Sequence, residues 1–125
     1  MSEIMELRFD ADWIVLSACN SAADDGSGGG PASGLARAFF YAGARSVLAT
    51  NRAVHSRSAA ELTVATFRNR AASGASRAEA LRLAQLEMIR SGGHRDAAGR
   101  ELYAYAHPLF WAAWSLIGDG GRGAD

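Results

Sequence analysis

The stretch DWIVLSA, residues 12–18, decides how the rest of the chain is read. It is short, apolar and β-branched, without the polar alternation of a strand that faces water, so it predicts a strand buried on both faces, as in a parallel sheet. A polar, glycine-rich segment, DDGSGGGPAS, follows. From Ser33 the spacing becomes helical: Leu35, Ala38, Phe39 and Ala42 form a stripe, Ser33 is placed to cap the start and Gly43 to end the element. RSVLATN, residues 45–51, is a second short buried run. The unit is strand, crossover helix, strand, for which right-handed parallel pairing is the default.

Beyond this unit, Ser56 to about Ala72 predicts a helix with Leu62, Ala65, Thr66 and Phe67 near one face and a break at Ser73-Gly74. SRAEALRLAQLEMIR, residues 76–90, predicts another: Ser76 and Glu79 form a capping box, Leu81, Ala84 and Met88 a stripe, and Gly92-Gly93 stop it. The polar stretch through Arg100 reads as a surface loop. FWAAWSLIGD, residues 110–119, predicts a third strand, entered after Pro108 and left at Gly118. The expected architecture is α/β, a mostly parallel sheet of three strands with flanking helices, ending in a frayed tail over 121–125.

Composition narrows the function. The 125 residues suffice for one globular domain or part of one. Thirteen acids balance thirteen bases, interspersed along the chain, so nothing points to nucleic acid or to an anionic membrane. Every base is arginine; without lysine a Walker-type phosphate loop, a Schiff-base lysine and a lysine general base are excluded. A lone cysteine makes no internal disulfide, and the N-terminus carries no basic region followed by an apolar one, so a reducing cytoplasm is the expected compartment.

That cysteine, Cys19, follows the first strand at its carboxyl end, where open α/β sheets place ligands and catalytic groups. Spacing alone leaves two readings open, a buried small hydrophobe and a nucleophile activated by nearby backbone N–H groups or a histidine. Gly28, Gly30 and Gly34 form a loose glycine motif, but it starts too far from the strand for a dinucleotide fingerprint, and the second strand ends Thr50-Asn51-Arg52 without the ribose-binding acid. Asp24 and Asp25 read as solvated turn residues. Of the histidines, His107 is placed to fix the entry to the last strand, and His94 falls in a solvated loop. His55 follows the second strand on the same sheet edge as Cys19, as a pocket-lining or exposed side chain. No metal-ligand spacing is present, and no cofactor is expected.

DADWIVLSACNSA, SGLARAFFYAGARSVLAT, RAEALRLAQL and HPLFWAAWSLIGD together resemble the carboxyl-terminal half of a CHAT domain, from about Ser2 to Gly120. The resemblance implies a partial caspase-like, three-layer α/β sandwich of the clan CD cysteine peptidases, often attached to tetratricopeptide repeats. It puts Cys19 at the nucleophile position, with its own N–H and the adjoining Asn20 and Ser21 at the oxyanion loop. Thr50, Asn51, His55 and Ser56 fall at the substrate-binding stretch. Where relatives read something like WPVDD or HWAVDS, this chain reads NRAVHS, so the acid that helps receive a basic P1 side chain is replaced. The family's catalytic histidine lies upstream of the cysteine, and none of the eighteen residues before Cys19 is histidine. The expectation is therefore the cysteine-bearing half of an endopeptidase, inactive alone, acting on a protein substrate once the histidine half is supplied. The alternative is a non-catalytic module that associates with a partner protein through an uncovered sheet edge at WIVLS.

Overall fold

The computed structural model describes residues 2–8, 10–17 and 34–122. The chain divides into two compact units, 1–53 with 114–120, and 54–113 with 121–125.

The first unit is built on β1 (Ile14–Leu16), α2 (Gly34–Tyr41), β2 (Ser46–Thr50) and β5 (Trp114–Gly118), preceded by a short α1 (Ser2–Glu6). As the apolar runs predict, β1 and β2 pair in parallel, with Ile14 opposite Val47 and Leu16 opposite Ala49. β2 is central in the order β1-β2-β5, and all five of its residues are buried. Ala36 on α2 lies against Val47 and Ala49; Ile14, Leu16, Phe39, Phe40 and Ile117 pack around them. A side chain as small as alanine lets the helix backbone approach the sheet, and the two phenylalanines fill the space beside it. Gly43, at φ 102°, ends α2 in a Schellman motif. Its N–H donates to the Phe40 carbonyl and that of Ala44 to the Phe39 carbonyl, both at 3.0 Å.

Arg45 fastens the sheet at one end. Its N–H donates to the Ala11 carbonyl (3.1 Å), its carbonyl accepts from the Asp119 N–H (3.1 Å), and its guanidinium pairs with Asp10 and Asp12. Ser46 Oγ adds a 2.9 Å bond to the Asp12 carbonyl.

One expectation is overturned here. β5 runs antiparallel to β2, with Thr50 opposite Trp114 and Ser46 opposite Gly118, so the sheet is mixed and not mostly parallel. The residues Phe110 to Ala113, expected within the strand, form the turn before it, bonded Phe110 N–H to His107 carbonyl and Ala112 N–H to Pro108 carbonyl. A continuous apolar run marks burial but is silent on direction, which the preceding turn fixes.

The second unit is the pair α3 (Ser56–Ser73) and α4 (Arg77–Arg90), followed by a hairpin of β3 (His94–Arg95) and β4 (Glu101–Tyr103). α3 ends at Gly74 in the left-handed conformation, and Ser76 caps α4 by accepting from the Glu79 N–H at 3.1 Å. Only that half of the expected capping box forms. The Glu79 carboxylate takes the Arg82 guanidinium instead, a hydrogen bond that holds it below its usual range. Leu62, Ala65, Thr66, Leu81, Ala84 and Met88 are buried as predicted. Phe67 is not: lying 140° around the helix from Leu62 at 100° per residue, it is 43% exposed.

The expected loop through Arg100 contains the hairpin. Gly93, at φ 108°, enters it with no room for a side chain, since a Cβ there would lie 1.9 Å from the Tyr103 carbonyl oxygen. Asp96 closes it, its carboxylate accepting from the N–H groups of Ala98 and Arg100 and from Arg100 Nε. No helix among the described residues is long and apolar enough to cross a membrane.

Candidate functional site

Parallel pairing brings the carboxyl ends of β1 and β2 to one edge of the sheet, with Leu16 in register with Ala49. Ser17, at the last described position after β1, is exposed. Cys19, Asn20 and Ser21 lie outside the described residues, as do Ser33, Asp24, Asp25 and the glycines before Gly34.

On β2 the two residues expected at the substrate site differ in what they offer. Thr50 is fully buried, opposite Trp114 in the ladder, while Asn51, immediately after the strand, is exposed. These two belong to the first unit, and His55 and Ser56 to the second.

His55 is half-buried and is the N-cap of α3. Its Nδ1 accepts from the Ser58 N–H at 3.4 Å, while its carbonyl accepts from Ser58 Oγ at 2.9 Å. A neutral imidazole that accepts at Nδ1 carries its proton on Nε2, which fixes the ring as a donor on its other side. The ring packs on Tyr103, 4.4 Å between centroids, and edge-on to Phe110 at 5.8 Å. Phe110 also meets Tyr105 at 5.2 Å. Ser56, the first helical residue, is exposed.

This aromatic surround was not visible in the spacing of the histidines; its signal is LYAYAHPLF, residues 102–110, which carries three of the rings. His94, expected among solvated residues, is half-buried and stacks on Tyr103 at 6.3 Å and 22°. The hairpin responsible has strands too short for any periodicity to announce. His107 fixes its turn as predicted, Nδ1 accepting from the Leu109 N–H at 3.1 Å.

Among the described residues no three His, Cys, Asp or Glu side chains are grouped to hold a metal ion. The family model described as CHAT domain matches residues 1–119. No curated protein and no solved structure matches the chain.

Proposed function

Because the chain belongs to the CHAT-domain family, we propose that it is the cysteine-bearing half of a caspase-like cysteine endopeptidase, with Cys19 the nucleophile and the histidine contributed by the other half of the domain. The match across residues 1–119 carries this reading, and the resemblance of LSACNS, within those residues, to the family's nucleophile motif supports Cys19 as the attacking group. The parallel β1–β2 pair supports it by ending both strands on one edge, where open α/β sheets hold their ligands.

In this reading the histidine takes the thiol proton and Cys19 Sγ attacks the peptide carbonyl. The Cys19 N–H, with Asn20 and Ser21 adjoining, stabilises the oxyanion. The amine then leaves with the proton from histidine, and water hydrolyses the thioester. By the family resemblance, Thr50, Asn51, His55 and Ser56 belong to the substrate-binding stretch. None of the four is a carboxylate, so this stretch offers no counter-charge to a basic P1 side chain. The substrate is a protein, the setting the cytoplasm, and tetratricopeptide repeats in a longer chain are the expected neighbours.

The test joins the chain to a histidine-bearing upstream half and measures cleavage of a fluorescein-labelled protein substrate. Cleavage that falls about 10³-fold or more in Cys19→Ala is the expected result. A folded joined domain with no Cys19-dependent cleavage overturns the peptidase reading and favours a module that binds partner proteins through the β1 edge.

A further inference from the structure

α3 has two apolar faces, and only one of them is covered. Ser58, Ala59, Leu62, Ala65 and Thr66 are buried. Ala60, Val64, Phe67 and Ala71, about 140° to 180° around the helix from Leu62 at 100° per residue, are exposed, Val64 to 64% and Phe67 to 43%. Apolar residues at spacings of four, three and four are the seam of a helix that packs on another helix, where a face turned to water carries polar side chains. The seam runs over about 17 Å at 1.5 Å per residue.

The order of residues along the seam selects its occupant. It reads the same from either end, alanine outside and a larger side chain inside. Laid antiparallel on a second copy, about a two-fold axis between Val64 and Phe67, Val64 meets Phe67 and Ala60 meets Ala71. Each contact is made twice, as a two-fold interface requires. The flanks match as well. On one side Glu61 comes opposite Arg68 of the second copy, and on the other Thr63 comes opposite Arg70, so no like charges face each other. In a parallel pair Glu61 would face Ser56 and gain no charge partner. Within the chain Glu61 accepts from Arg57 Nε at 3.2 Å and has Tyr105 beside it, while Arg68 pairs with Glu87. Both side chains stay exposed, and a carboxylate, with about four lone-pair sites, and a guanidinium fork each have capacity for a further partner.

We propose that α3 is a dimerisation helix, its exposed face seating the same face of a second copy, antiparallel, on the Val64–Phe67 seam with two Glu61–Arg68 pairs at the rim. The seam is short against a standard interface, so the dimer is reversible and dissociates in the micromolar range. The face lies within the second unit and does not depend on Cys19 or on the peptidase reading.

The experiment follows the 125-residue chain by sedimentation velocity over a concentration series, with Val15→Lys in every sample so that strand addition at β1 does not contribute. A monomer–dimer equilibrium is expected. Val64→Glu, at an exposed position, puts two carboxylates into the apolar seam and should weaken the dimer about tenfold or more. Glu61→Arg sets arginine against arginine at both rim positions, Arg68→Glu sets glutamate against glutamate, and each should weaken the dimer about tenfold. Mixing these two variants in equal amounts restores opposite charges at both positions and should return association to within about threefold of the parent. Two misfolded chains could not give that recovery. A chain that stays monomeric up to about 1 mM, a dimer unchanged by Val64→Glu, or a mixture that associates no better than either variant alone overturns the proposal.

Discussion

Asp96 illustrates how much one side chain can organise. Its carboxyl is held below its ordinary value of 3.8 chiefly by the Arg100 backbone N–H, with the Arg100 guanidinium and the Ala98 N–H adding to it. A carboxyl depressed by folding contributes stability that is present above that ordinary value and is lost as the pH falls through the lower folded value. Amide protection in β3–β4 should therefore decline below about pH 4, and in Asp96→Asn the decline should flatten. Hydrogen exchange across that range checks both. At the hairpin's entrance, Gly93→Ala combines a positive φ with a clash against Tyr103 and should cost about 2 to 4 kcal/mol by denaturant unfolding. Residues whose role is local were legible from the chain. Ser76, Gly43 and Gly74 are capping residues because of what stands one turn away. His94 was not, because the ring on which it stacks, Tyr103, faces it across a hairpin whose strands are too short to show a period.

At the scale of elements, the helices owe their positions to a few contacts that mutation can weigh. Ser76→Ala removes the acceptor for the Glu79 N–H and should cost about 1 kcal/mol. Leu62→Ala empties a fully buried site on α3 and should cost about 2 to 5 kcal/mol. Both are read from chemical denaturation, and a reversed order would mean that the helices depend on their caps more than on their packing. The strand–helix–strand unit and both long helices were visible in hydrophobic spacing because burial writes a period into an element of that length. The direction of β5 was not, since a run buried on both faces has no asymmetry to betray it. The β3–β4 pair is silent in the sequence for a simpler reason: strands of two and three residues are too short to carry a period.

At the scale of the whole chain, and among the described residues, the order β1-β2-β5 leaves β1 at a sheet edge, and Ile14, Val15 and Leu16 are only half-buried there. Such an edge invites another strand. Val15→Lys, whose side chain lies on the opposite face from Ile14 and Leu16, should reduce any concentration-dependent self-association seen by sedimentation velocity while changing stability by less than about 1 kcal/mol. The mixing of helices with a small sheet was legible at this scale, and the mostly parallel sheet was not. The site's chemistry was legible only through family motifs, because one cysteine at the end of one strand has many structural uses, and the partner histidine the reading requires does not precede it in these residues.

The central strand has a history as well as a place. β2 ends at Thr50, and its second neighbour begins at Trp114, with α3, α4 and the hairpin synthesised in between. At ordinary ribosomal speeds that interval lasts roughly 3 to 13 seconds. The intervening helices, whose contacts are local, have time to form before the sheet can close. Throughout those seconds the strand that ends up most deeply enclosed stands with one side unpaired on the growing chain, and a pause in translation between the two would lengthen the time in which a chaperone, or another nascent copy, reaches it first.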